Sequence, residues 1–349
     1  MTESASMRVA AAQAGGGFAV EDRPLPEPGP GEVRVRIEAC GVCGSDLHLY
    51  HSGFLAPGST PGHEFAGVVE ALGAGVEGLR EGQRVTVEPL ATCGECAQCR
   101  SGRENVCRRF EIFGVHLPGG FADCVVISAR RCFPIDGALS PRVAAMTEPV
   151  AVALHGLERG GFEAGQRVLV LGAGMIGLAT TLVARAMGAT AVWTSARHEH
   201  QAHLAREMGA HRVLGEEEAS GKSLARLARG GDDFDLVVET VGGGANTLAD
   251  ACSAIKPGGT VSVLGLFMTS PAIDPYSLLL REGCLCWSNC YARPQGKRPD
   301  FARAATLVEE ERERLALLAT HELPLAEIGR AFELASDRKA GAVKVSVIP

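Results

Sequence analysis

The run Val168-Leu169-Val170-Leu171 leads directly into Gly172-Ala173-Gly174-Met175-Ile176-Gly177 and then into a further apolar stretch that reaches Ala184. Few folds accommodate that order. Consecutive apolar residues seek burial on both faces, as in a central strand of a parallel sheet. G-x-G-x-x-G between a strand and a helix then marks a turn that can hold a dinucleotide. Gly172 permits the tight turn, Gly174 lets a pyrophosphate approach the backbone at the helix start beside Met175 and Ile176, and Gly177 lets helix and strand pack closely. Val168 to Ala184 approaches the length of a membrane span, but its glycine spacing and the Arg185 that follows point to a buried strand, turn and helix.

The sequence after Glu148 continues this alternation. Ala191 to Thr194, Leu236 to Val238 and Thr260 to Leu264 read as further strands separated by helical stretches, which predicts an α/β fold with a doubly wound parallel sheet. Glu32 to Glu88 differs: short β-rich runs such as Val33-Arg34-Val35-Arg36-Ile37 are punctuated by glycine and proline, the texture of an irregular β-barrel. Beyond Trp287 a charged helix is expected from Asp300 to about Ala319 and a strand from Ala342 to Ile348, returning to the first domain. The expected divisions are 1–150, 151–286 and 287–349, and 349 residues with 46% hydrophobic content suffice for two cores.

The net charge of −7 carries no basic block, which argues against a nucleic-acid partner and for a small-molecule substrate. Met1 to Asp22 lacks the pattern of a secretory signal, so a cytoplasmic location without a membrane anchor is expected. In that reducing setting twelve cysteines are more apt to hold metal than to form disulfides. Cys93, Cys96, Cys99 and Cys107 can wrap one loop around a Zn²⁺ ion, closing it as a structural site. A second set is dispersed: Gly41-Val42-Cys43-Gly44-Ser45-Asp46-Leu47-His48, Gly62-His63-Glu64 and Thr147-Glu148-Pro149. Together these supply a thiolate, an imidazole and carboxylates, donors suited to a zinc that keeps one position exchangeable. Cys40, Cys124, Cys132, Cys252, Cys284, Cys286 and Cys290 read as buried small hydrophobes, and Glu216-Glu217-Glu218 as a solvated loop.

These segments, with Gly62-His63-Glu64-x-x-Gly67 followed by Gly73 and Gly75, the four-cysteine loop and Glu148-Pro149, closely resemble the medium-chain zinc alcohol dehydrogenases over essentially the whole chain, nearest the polyol (sorbitol) and threonine dehydrogenase branch. The resemblance implies a GroES-like catalytic domain joined to a Rossmann coenzyme domain. It implies that Cys43 and His63 are zinc ligands, that Glu64 and Glu148 ligate directly or through water, and that Asp46 orients the His63 imidazole. Ser45 would accept the substrate proton and His48 would pass it to solvent, with His51 an alternative exit. Leu266 and Phe267 would flank the nicotinamide, and Thr240 would face the cofactor. Such an enzyme uses Zn²⁺ as a Lewis acid while hydride passes between a secondary alcohol, or the matching ketone, and the dinucleotide.

At the end of the second strand of the coenzyme domain an acidic residue usually holds the adenosine ribose; here the chain reads Thr194-Ser195-Ala196-Arg197. Ser195 and Ala196 leave room, and Arg197 offers a cationic donor, so NADP(H) is preferred with NAD(H) possible. Two rivals are a zinc-free NADPH-dependent quinone or enone reductase and a non-catalytic NADPH-binding scaffold. Metal content separates the three at about two, none and one zinc per chain. Trp287 stands where polyol enzymes often carry a basic residue, and Phe54, Phe113 and Trp287 suggest a partly apolar or cyclic alcohol. A homodimer or homotetramer is expected, pairing through a free strand of the nucleotide-binding sheet.

Overall fold

Alternation of buried and half-exposed residues along Glu32–Gly41 makes it the inner wall of the first sheet, with Val33, Val35 and Ile37 turned inward. The computed structural model describes residues 5–337 and 339–349. The chain forms two compact units, one comprising the chain up to Glu148 together with Ala292–Pro349, the other Pro149–Tyr291.

In the first unit, seven strands form one sheet. Six follow the order His321–Pro324, Val345–Ile348, Glu32–Gly41, Glu64–Leu72, Arg84–Val87 and Cys132–Pro134, and Cys124–Ser128 pairs with Glu32–Gly41. Register shifts interrupt the pairing between Glu32–Gly41 and Glu64–Leu72 at Arg34/Val35 and Ile37/Ala39, as expected of an irregular barrel. Phe65, Phe121, Phe332, Val85 and Val347 fill the interior with the inward valines. Each such buried side chain contributes about 1.5 to 3 kcal/mol relative to its exposed state. Ser140 starts the Pro141–Ala145 helix by accepting the Val143 N–H, with Pro141 at the first helical position.

The second unit holds a six-stranded, wholly parallel sheet in the order Arg212–Leu214, Ala191–Ser195, Arg167–Leu171, Phe234–Glu239, Ile255–Val263 and Cys284–Trp287. From Arg167–Leu171 the chain winds outward through two strands, then returns to Phe234–Glu239 on the other side. The carboxyl ends of these two adjacent strands therefore border a topological switch point, where ligands bind in open α/β sheets. The Met175–Ala186 helix is buried from Gly177 to Ala184, and its one inward hydroxyl pair, Thr181 with Thr194 at 2.8 Å, joins helix to strand. The apolar stretch beginning at Val168 is thus a strand and a helix, and no helix among the described residues is long and apolar enough to cross a membrane.

Three expectations change. The charged helix divides into Asp300–Glu310 and Arg312–Ala316. The terminal strand is shorter, Val345–Ile348. Cys284 is exposed and Cys286 and Cys290 are half-buried; the first two lie on Cys284–Trp287, an edge strand of the sheet among the described residues.

Candidate catalytic metal centre and dinucleotide site

In the first unit, pairing of Gly41 with Glu64 places the end of one strand beside the start of the next. Cys43 then caps the Gly44–Ser52 helix and His63 immediately precedes Glu64. One ligand atom from each of Cys43, His63 and Glu64 lies within 4.8 Å of the others. Asp46 sits behind them, fully buried. Its Oδ2 accepts the Cys43 N–H at 2.9 Å, and its Oδ1 lies 3.3 Å from His63 Nδ1. A single carboxylate thus caps the helix that presents the sulfur and orients the imidazole, leaving Nε2 toward the cluster. Ser45 Oγ is 3.3 Å from that Nε2.

Charge accumulates around this cluster. Burial pulls His63 down, yet the Asp46 carboxylate and the Cys43 sulfur overcome it and hold the imidazole well above its ordinary value. Glu148, buried in the first turn of Thr147–Arg159, is pushed up to about 7, chiefly by burial and against the pull of His63. Glu64 Oε1 is buried without a hydrogen-bond partner, while Oε2 is 2.5 Å from Lys344 Nζ, which also donates to the Val42 carbonyl at 3.1 Å. A soft sulfur, an imidazole nitrogen and an orphaned carboxylate oxygen fit a divalent zinc with an exchangeable position.

His48 is half-buried, whereas His51 is exposed with Nε2 3.0 Å from Ser336 Oγ. Phe54 is largely exposed and Phe113 packs on the barrel core. Lys344 is a residue of this site that sequence reading missed. Its place between Ala342-Val343 and Val345 suggests an outward side chain on a terminal strand, yet it is only 2% exposed.

The four-cysteine loop is closed on itself. Cys93–Cys99, Cys96–Cys99, Cys96–Cys107 and Cys93–Cys107 sulfurs are 3.8, 3.5, 3.9 and 3.5 Å apart. Tetrahedral sulfur ligands about 2.3 Å from a zinc ion lie about 3.8 Å from one another, so the cage has the size of that ion. Backbone N–H groups of Arg108 and Cys99 draw the Cys96 thiol down to about 6, and burial pushes Cys99 up to about 12. A buried cation anchors the lobe: Arg131 donates to Glu88 at 2.7 Å, to Glu104 at 2.5 Å and to Thr92 at 2.8 Å, and Arg293 also pairs with Glu88.

In the second unit each motif glycine has its own steric reason. Gly172 has φ +109°, and a side chain there would meet Thr240 Oγ1 and Val241. A Cβ on Gly177 would collide with the Gly172 carbonyl, whereas one on Gly174 would meet nothing within 4 Å. Gly174 thus leaves the start of the Met175–Ala186 helix bare, with Met175 and Ile176 in its first turn. Such a cradle fits a pyrophosphate. Ser195 Oγ accepts the Gly172 N–H at 2.9 Å. Ala196 is half-buried, and exposed Arg197 forms an ion pair with Glu216 at 3.2 Å. Thr240 Oγ1 donates to the Leu171 carbonyl at 2.8 Å. Leu266 is half-exposed, Phe267 packs toward the core, and Trp287 is exposed on its edge strand. Sequence reading also missed Glu239, a fully buried carboxylate that ends an apolar strand.

Comparison with known proteins agrees with this architecture. The family described as the alcohol dehydrogenase GroES-like domain matches residues 29–137, and the family described as zinc-binding dehydrogenase matches residues 176–310. L-galactonate-5-dehydrogenase of Escherichia coli K12 is 30% identical over 90% of each chain. L-threonine 3-dehydrogenase of Stenotrophomonas maltophilia is 32% identical over 96% of this chain and 97% of its own. A solved protein from Sinorhizobium meliloti 1021, described as a zinc-binding dehydrogenase and bound to NADP, superposes with a TM-score of 0.88 at 35% identity, covering 99% of this chain and 100% of its own. With barrel, parallel sheet and two metal-ligand clusters accounted for, the chain belongs to the zinc-binding alcohol dehydrogenase family, enzymes that transfer hydride between an alcohol and a nicotinamide dinucleotide.

Proposed function

We propose that the protein oxidises a secondary alcohol, a polyol, cyclitol or related hydroxy compound, to the ketone with NADP⁺, or reduces that ketone with NADPH, NAD(H) being the weaker alternative. The observation that carries this reading is the convergence of Cys43, His63 and Glu64 in front of a buried Asp46. Cys43 and His63, with Glu64 or Glu148 completing the set, would hold the catalytic zinc, and Cys93, Cys96, Cys99 and Cys107 a structural one. When bound, the zinc supplies a Lewis acid that makes the substrate hydroxyl more acidic, and the dinucleotide takes the carbinol hydride. Asp46 keeps Nδ1 of His63 engaged so that Nε2 is the ligand atom. Ser45 takes the hydroxyl proton and His48 passes it to solvent, a choice favoured by the occupation of His51 with Ser336. Lys344 holds one oxygen of Glu64, leaving the other for the metal.

The preference for NADP(H) is supported by Ser195, which accepts the Gly172 N–H without bringing an anion to the ribose, and by the donors of Arg197. The NADP-bound relative accords with it. In the second unit, the free edge of Cys284–Trp287 and the exposed Tyr276, Leu279 and Leu280 supply an apolar face for a second copy, so a homodimer or a tetramer built from it is proposed. Twelve cysteines outside disulfides suit a cytoplasmic enzyme. The decisive test is a panel of polyols, cyclitols, hydroxy amino acids and simple secondary alcohols, assayed with NADP⁺ and NAD⁺ on zinc-replete protein. At least one should yield reduced cofactor, faster with NADP⁺; silence across the panel sinks the assignment.

A further inference from the structure

We propose that Glu239 is a positioning residue for the nicotinamide half of the dinucleotide, an inference that rests on reading the second unit as the dinucleotide-binding one. Glu239 ends Phe234–Glu239 at the switch point, in register with Leu171 on one side and Val263 on the other. It is fully buried. Its Oε1 accepts the Val241 N–H at 2.9 Å, the Gly242 N–H at 3.0 Å and the Thr247 hydroxyl at 2.7 Å. The backbone carbonyl of the same residue accepts the N–H groups of Leu264 at 2.8 Å and Gly265 at 3.1 Å. One residue therefore holds the loop after its own strand and the loop after the next strand.

The two loops are also joined directly, since the Gly243 N–H donates to the Leu266 carbonyl at 2.8 Å. Space around the carboxylate is filled on the loop side: a Cβ on Gly265 would collide with Glu239 Oε2, and one on Gly242 with the Leu266 backbone. Charge-assisted bonds of this kind are roughly twice as strong as neutral ones, and a buried carboxylate stays in place only while its donors do. The consequence is geometric. Thr240, tied to Leu171, and Leu266, which turns half its surface outward, are held together at the carboxyl ends of adjacent strands. Arg197 follows the strand on the other side of Arg167–Leu171 and draws on none of these bonds, and the glycine turn meets this loop only by packing against Thr240 and Val241, so the adenosine end depends least on Glu239.

The test compares a whole cofactor with a fragment by titration calorimetry on the zinc-loaded protein. The cofactor is whichever of NADPH and NADH the wild type binds more tightly, and the fragment is the matching 2′-phospho-ADP-ribose or ADP-ribose, which lacks nicotinamide. Glu239→Ala should weaken the cofactor about tenfold or more and the fragment by less than about twofold, the scale expected when charged hydrogen bonds are lost at one end only. Glu239→Gln keeps an acceptor and should recover most of the loss. Should the alanine variant not fold, Thr247→Val removes one donor and should show the same asymmetry in weaker form. Equal weakening of both ligands, or of neither, overturns the proposal. A wild type that binds neither cofactor nor fragment would instead overturn the dinucleotide reading beneath it.

Discussion

The four-cysteine lobe and the Cys43–His63–Glu64 cluster lie in the same unit, yet they are assembled in opposite ways. In the lobe all donors are alike, come from one short loop and face only one another, with backbone N–H groups of Cys96 and Arg109 turned to their sulfurs. In the other cluster the donors differ, come from separate segments, and are surrounded by charges of both signs: Asp46, Glu148 and Lys344. A saturated sulfur cage leaves an ion nothing further to bind, so it can only hold structure together. A mixed set with one carboxylate oxygen lacking a partner can exchange a ligand, and that is what a reaction requires.

Crossed substitutions probe this contrast most strongly. Cys43→Ser should reduce turnover by roughly two orders of magnitude or more, with about one zinc lost per chain and the thermal midpoint nearly unchanged. Cys99→Ser should lower the midpoint by roughly 10 °C, as a loss of a few kcal/mol does in a domain of this size, while molecules that remain folded keep their activity. Metal analysis, melting curves and steady-state kinetics on the same preparations decide it. The reverse pattern would exchange the roles of the two sites.

The next effect concerns what anchors the lobe. Arg131→Met takes the shortest ion pair from Glu104, leaving it Arg130 and Thr92 at 3.2 Å, and leaves Glu88 with Arg293, which should cost about 2 kcal/mol or more. Burial would raise the Glu104 carboxyl, but Arg131 and Arg130 prevail and hold it below its ordinary 4.5. A depressed carboxyl stabilises the fold fully above its unfolded-state value and loses that contribution as pH falls through the folded one. Melts taken downward from neutral pH should therefore show an acid loss that Arg131→Met reduces. Identical acid profiles for both proteins would remove the network from the account of the lobe.

A smaller loss is expected at the open centre from Asp46→Asn, about 10- to 100-fold in zinc affinity or activity, since the imidazole loses its charged partner while the metal keeps its ligands. Competition with a chelator measures it. An unchanged affinity together with unchanged kcat would mean that Asp46 serves only as a helix cap. Smallest is Arg197→Ala, which should raise KM for NADP⁺ by about tenfold and leave KM for NAD⁺ within about twofold, the loss of one exposed phosphate contact. Equal effects on both would turn the preference away from the 2′-phosphate.

Where a feature depends on residues a few positions apart, the amino-acid order was enough. Spacings of two, two and seven residues close the cysteine cage, and a strand followed by G-x-G-x-x-G makes the turn at Gly172, because short chain segments reach few alternative geometries. Of the dispersed centre, family resemblance named Cys43, His63 and Glu64, whose ligand atoms the fold brings together, and Glu148, which stands outside that group. The electrostatics of that centre were not legible: Lys344 stands 280 residues from Glu64, and an alternating terminal strand gives no sign that its lysine turns inward. Glu239 escaped for the same reason, since a carboxylate after three apolar residues looks like the solvated end of a strand until its loop folds back to supply three donors. Local spacing determined which groups could share an ion or a phosphate; tertiary packing alone decided which buried charges would find partners, because only distant segments brought together in the fold can offset the cost of removing a charge from water.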